Sequence, residues 1–337
     1  MGTLNDSPAL TCRAFAKIHP PIRAALIFMN IRTIFINENN RLRSGWRLIV
    51  FLLVLTLFGL LFGGLFAAAF PKGIFDRPED HMLFLFLNAT VSLIPALLAG
   101  WLCGKFLEGL PFRALGAGFS KGWLKHFAIG SGVGLLSIGI AVVIAVAFGG
   151  LNFAIDLDFD GAAILKSLSI SLAVFAAAAA FEEALFRGYI LQTFARANLA
   201  WLAIAGTALL FAAVHLQNPS ANWISTTNTA LAGVWFGLAY LKTRDLWFPL
   251  GIHLMWNWAQ GSIFGIEVSG LKDFASATLL KEIDRGPAWL TGENYGIEGG
   301  IASTLAIIIA IIAIHFLPIK ADEEMIAMTS HQAETRA

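Results

Sequence analysis

The sequence predicts an all-α polytopic membrane protein, with about eight transmembrane helices around a polar intramembrane cavity. Three observations predict it. Hydrophobic residues make up 57% of the 337-residue chain and charged residues only 13%, well short of the roughly 25% charged share of a water-soluble domain. The apolar residues come in blocks of roughly twenty, the length of helix that crosses a hydrocarbon core. The few ionisable residues inside those blocks recur at helical spacing on separate blocks. The ten-residue alternating patterns of an outer-membrane barrel are not seen.

Residues 1–40 form an N-terminal cytoplasmic segment, less hydrophobic than the rest. Met29 opens "MNIRTIFINENNRLRSGWR" and is an alternative start. A weak amphipathic surface helix is the competing reading of this segment. Residues 41–319 form the transmembrane domain, with spans near 48–70, 82–104, 127–150, 165–181, 199–216, 223–241, 247–265 and 300–317. The first span lacks a small-residue cleavage site, so it reads as an anchor and not a removable signal peptide. The polar tail 320–337 reads as disordered.

Most of the 23 Lys and Arg fall on one side of these spans: the N-terminal segment, the loops holding Lys105, Arg113, Lys121, Lys125, Arg196, Lys242 and Arg244, and the tail. The loop "AIDLDFDG" adds three aspartates to the other side. Cytoplasmic loops carry the excess of Lys and Arg, so both termini are expected in the cytoplasm, with the chain in a bacterial inner membrane. A net charge of +1 says little about partners; no nucleic-acid partner is expected, and membrane lipid is the surrounding medium. Cys12 and Cys103 are far apart and show no metal-ligand spacing. "GSGVG" (Gly130 to Gly134) reads as a close-packing motif, since no strand precedes it to make a phosphate loop.

The informative stretch is "AAAAAFEEALFRGYI" (Ala176 to Ile190). Residues four apart share a helix face, so Glu183 and Arg187 can pair, and neither charge is left naked. Glu182 faces elsewhere and has no local counter-charge. A later span carries Phe211 and His215 at the same spacing, and another carries His253 and Asn257. Ionisable residues inside membrane spans are unfavourable in lipid and mark functional sites facing the bundle interior. One glutamate and two histidines can activate a water or ligate a metal, and Asn257 can donate to a developing oxyanion. Trp256 and Trp258 flank this group and can shape a groove. Asn88, Thr226, Thr227 and Asn228 read as interhelical hydrogen-bonders.

"EEALFRG", "FAAVH" and "HLMWN", in this order and on separate spans, resemble the three motifs of the CPBP family of intramembrane proteases, which includes CAAX prenyl protease type 2 and bacteriocin-processing, Abi-like members. The resemblance is tight from Ala180 to Trp258 and weaker back to Asn40. It implies an intramembrane endopeptidase acting on prenylated CAAX-type tails or small peptides. Glu182 and His215 would polarise a water, while His253 and Asn257 hold the carbonyl as its oxyanion forms. Glu183 and Arg187 would brace the helix, and Phe211 would pack beside the site.

Metal use stays open at this point. No HExxH helix is present, but Glu182, His215 and His253 could form a three-ligand zinc site with an open position. A proton-relaying transporter and a non-catalytic peptide-binding immunity protein are the rival functions. Depth poses a difficulty. At ~1.5 Å per residue, Glu182 lies ~24 Å from Lys166, near the basic edge, and His215 ~28 Å beyond Arg196, near the opposite one. The two can meet only if helices tilt or break, or if 189–198 dips into the membrane. The expectation is that the Glu182, His215 and His253 side chains converge in one polar cavity.

Overall fold

The computed structural model describes residues 31–71, 73–77, 80–155, 160–271 and 277–330; the alternative start at Met29 and Cys12 lie outside them. The chain divides into two units, Met1–Arg43 and Ser44–Ala337, three residues later than the expected boundary. In the first, α1 (Ile31–Phe35) leads into a turn closed by an Ile36–Leu42 bridge. The Asn37 side-chain oxygen accepts from the backbone N–H groups of Asn39 and Arg41, both at 3.0 Å, which is how Asn stabilises turns.

The second unit is a helical bundle: α2 (Ser44–Ala69), α3 (His81–Glu108), α4 (Trp123–Ala147), α5 (Gly161–Glu183), α6 (Leu191–Arg196), α7 (Ala200–Val214), α8 (Trp223–Thr243), α9 (Trp247–Trp258), α10 (Ala288–Thr291), α11 (Ile301–Phe316) and α12 (Glu323–Thr329). Each of the eight expected spans is largely helical. Five helical stretches are long and apolar enough to cross a membrane: 44–69, 81–108, 123–147, 161–196 and 200–217. Their outer faces are apolar: Leu53, Leu57 and Leu60 on α2, Val143 on α4 and Leu209 on α7 are all more than half exposed. Exposed contiguous apolar surface of this kind suits hydrocarbon and is rare against water.

One boundary differs from expectation, and the difference removes the depth conflict. The fourth span does not stop at Phe181. A π-helical turn, Ala184–Ile190, joins α5 to α6, giving one helical run of 36 residues, Gly161–Arg196. A tight turn at 197–199 then starts α7. At ~1.5 Å per residue, Glu182 lies ~21 Å before Arg196 and His215 ~22 Å after Ala200, so the two stand at one height on antiparallel neighbours. Neither sits at the basic edge.

Charged groups at the basic end are buried in pairs. Glu108, closing α3, accepts from Arg47 of α2 at 2.8 Å and pairs with Arg196 of α6. His126 of α4 lies 2.5 Å from Asp245, whose other carboxylate oxygen caps α9 by accepting from the backbone of Trp247 and Phe248. The tail is not wholly disordered. Asp322 caps α12, Met325 is buried, Glu324 meets Arg113 at 2.5 Å and Arg244 donates to the Thr329 carbonyl. A cap and a buried apolar side chain hold residues 323–329 helical in spite of their polar composition.

The glycine motif packs as expected. A Cβ on Gly130 or Gly134 would overlap the carbonyl oxygens of Phe248 and Ile252, and one on Gly251 that of Phe127. Only hydrogen fits at these positions, so α4 and α9 meet backbone to backbone, as small residues allow between membrane helices. Gly132, between them, faces open space. Asn228 ties α8 to α11 by accepting from Thr304 at 2.7 Å. Thr226 and Thr227, by contrast, donate to carbonyls one turn back in their own helix.

At the other end, β1 (Leu151–Ala154) pairs antiparallel with β2 (Lys281–Asp284). Burial, with Glu267 and Asp284 adding negative charge, pushes the Glu282 carboxyl up to about 8.

Two predictions follow from the packing and this carboxyl. Gly134→Ala lowers the melting temperature in detergent, by overpacking worth about 1–3 kcal/mol. Gly132→Ala leaves it unchanged or raises it, since Ala favours helix by up to ~1 kcal/mol. Because the Glu282 carboxyl is raised in the fold, the folded state holds a proton that the unfolded chain has released, and stability falls as pH rises from the ordinary carboxylate range to about 8. Amide exchange across β1 and β2 accordingly loses protection over that window, beyond the intrinsic pH effect, and Glu282→Gln abolishes the loss.

Candidate active site

The site forms where α5 passes into its π turn and α7, α8 and α9 pack against it. Glu183 is buried, and its Oε1 accepts from Arg187 Nη1 at 3.1 Å and from His253 Nδ1 at 2.9 Å. Arg187 is fully buried. Its Nη2 donates to the Gly233 carbonyl at 3.3 Å, and its guanidinium lies 4.9 Å from the Phe211 ring centre and 5.2 Å from that of Phe236. A planar, weakly hydrated cation suits such an aromatic cage. The expected brace between Glu183 and Arg187 is present, but Glu183 also orients a histidine on another helix, which spacing could not reveal.

His253 is fixed on three sides. Its ring stacks on Phe236 at 4.7 Å and 17°, and Phe211 meets it edge-on at 6.0 Å. With Nδ1 bonded to Glu183, its Nε2 points to Glu182 Oε2, 3.6 Å away. That Glu182 oxygen is buried and has no hydrogen-bond partner among the described residues. His215, just past the end of α7, places Nδ1 2.7 Å from the Phe211 carbonyl. A carbonyl only accepts, so Nδ1 carries the hydrogen, and in the neutral ring Nε2 is the acceptor. Asn257 lies one turn beyond His253 on α9.

Glu182, His215, His253, Asn257 and Phe211 line one cavity of about 210 Å³, together with Asn228, Phe236, Trp256, Ser269 and Glu298. Trp256 thus borders the cavity as expected. Trp258 does not: its indole donates to the Leu168 carbonyl on α5. Phe236, Ser269 and Glu298 escaped the sequence reading. Phe236 is one aromatic among many in "GVWFGLAY", and Ser269 and Glu298 lie in the long connection from α9 to α11, where no motif or period points to them.

The three-ligand metal set does not close. No group of three His, Cys, Asp or Glu among the described residues is placed to hold one ion. Glu182 and His253 approach each other, but His253 Nδ1 is held by Glu183 and His215 Nδ1 by a backbone carbonyl. These bonds fix the two rings through Nδ1 and leave the Nε2 atom of each unclaimed by them.

Residues 162–259 match a family model described as "Type II CAAX prenyl endopeptidase Rce1-like". The matched stretch runs from the start of α5 to just past Asn257 and holds all three motifs. The "Uncharacterized protein YyaK" of Bacillus subtilis (strain 168) is 28% identical over 235 residues, covering 63% of this chain and 71% of that protein. No solved structure matches the chain. The segment that carries the three motifs and most of the cavity lining is therefore similar to the type II CAAX prenyl endopeptidases, the same family group that the three ordered motifs resemble.

Proposed function

We propose that this protein is an intramembrane endopeptidase that hydrolyses a peptide bond in a prenylated CAAX-type tail or a small peptide, in a bacterial inner membrane with both termini cytoplasmic. The observation that carries the proposal is the meeting of Glu182, His215, His253 and Asn257, from three separate helical stretches, at one cavity. The gathering of Arg47, Arg196, Arg113 and Arg244 contacts at one end of the bundle supports the orientation.

In this mechanism a water sits between Glu182 and His215. His215 Nε2 accepts one of its hydrogens and orients it. Glu182 Oε2 takes the other proton as the water oxygen attacks the carbonyl carbon. The negative charge moves to the carbonyl oxygen, which receives hydrogen bonds from the Asn257 amide and from His253 Nε2–H. The Glu183 carboxylate orients that ring through Nδ1. The C–N bond then breaks as Glu182 passes its proton to the leaving nitrogen. General-base action of this kind contributes about 10²–10⁴-fold, and each oxyanion donor about 10²–10³-fold.

Purified protein in liposomes, incubated with a tagged peptide library, tests this. Glu182→Ala and His215→Ala are expected to lower cleavage by about 10²–10⁴-fold and Asn257→Ala by about 10²–10³-fold, with melting temperatures close to the parent. Undiminished cleavage in the first two contradicts the mechanism; proton flux without cleavage indicates a transporter. The brace makes a separate prediction. Removing one partner of a buried ion pair costs about 3–5 kcal/mol, so Glu183→Gln and Arg187→Met each destabilise strongly. The double variant recovers much of the melting temperature but not the cleavage, because His253 has still lost its carboxylate.

A further inference from the structure

We infer that Glu298 makes the cavity a receptor for a lysine or arginine side chain of the peptide, carried by a residue flanking the scissile bond; this deepens, and rests on, the reading of the cavity as a peptidase site. Among the described residues, those lining the cavity include two carboxylates, Glu182 and Glu298, and no lysine or arginine. The neighbouring carboxylate, Glu183, is matched by Arg187 and His253. Among the described residues Glu298 is held only by neutral donors: Oε1 accepts from the Trp256 indole at 3.2 Å, and Oε2 from the Ser269 backbone N–H at 2.7 Å and hydroxyl at 2.8 Å. Its backbone carbonyl accepts from Asn228 at 2.8 Å.

Neutral donors fix a carboxylate in position without cancelling its charge. A carboxylate offers about four lone-pair sites, so three accepted bonds leave room for one more. Trp235 and Trp256, in edge-to-face contact at 5.9 Å, line the same cavity, and aromatic faces attract cations. Trp256 bonds Glu298 and directly precedes Asn257, so a side chain that reaches Glu298 belongs to a residue close to the bond being cut. A peptide carboxylate at that position would meet Glu298 with no lysine or arginine among the described lining residues to offset it.

The test uses the full chain in detergent micelles with Glu182→Gln to block cleavage, and fluorescent peptides carrying lysine, norleucine or glutamate at each position around the cleaved bond. At one flanking position the lysine peptide is expected to bind about 10–100-fold more tightly than the norleucine peptide, the range for a hydrogen bond to a charged group, and the glutamate peptide most weakly. Adding Glu298→Gln, which keeps the shape and an acceptor oxygen, removes the difference. Glu298→Asp, which keeps the charge, retains part of it. Equal binding of the lysine and norleucine peptides, no binding of any peptide, or equal weakening of all of them by Glu298→Gln overturns the inference. A lysine preference with no cleavage by the parent protein overturns the peptidase function alone.

Discussion

Everything in this site depends on the buried carboxylate of Glu183. It sits between a guanidinium on its own helical run and an imidazole on α9, and each of those groups needs it. Buried charge is tolerated only when paired and hydrogen-bonded. The rings of Phe186, Phe211 and Phe236 close around the Arg187 guanidinium. Phe211 and Phe236 also meet the His253 ring, so the same rings that seal the ion pair aim the imidazole at Glu182.

Two features of the bundle bring the helices to this point. The backbone contact between α4 and α9 allows no sliding, because the carbonyls of Phe248 and Ile252 fill the space a Cβ would occupy. That contact sets the height and rotation of a helix only 12 residues long. The hairpin of the 161–196 run with α7 then matches Glu182 to His215 by length. The π turn lies directly after Glu183, where it changes the phase of the following residues; single π turns within helices recur at functional sites.

The local parts of this arrangement were legible in the sequence, because four-residue spacing on a helix has one geometric meaning. The pairing of Glu183 with Arg187 and the shared face of His253 and Asn257 follow from it, and the glycines at 130 and 134 announced close packing. What could not be read is what depends on tertiary contact. The expected end at Phe181 precedes a run of charges, yet Glu183 and Arg187 pair inside the bundle and the helix runs on to Arg196. Glu183's second bond joins residues 70 apart. Glu298 reaches the cavity from a connection whose sequence carries no period. The α12 helix is kept by one cap and one buried methionine within a polar tail.

The central claim is that the Glu183 carboxylate holds His253 through Nδ1 and leaves Nε2 facing Glu182. Nitrogen-15 NMR of histidine-labelled protein, with the His253 signals identified by their absence in His253→Gln, reads this directly. Glu183→Asp, which keeps the charge but shortens the reach, is expected to move the His253 Nδ1 resonance and leave those of His215 in place. His253 nitrogens that do not respond to the change at Glu183 would contradict it.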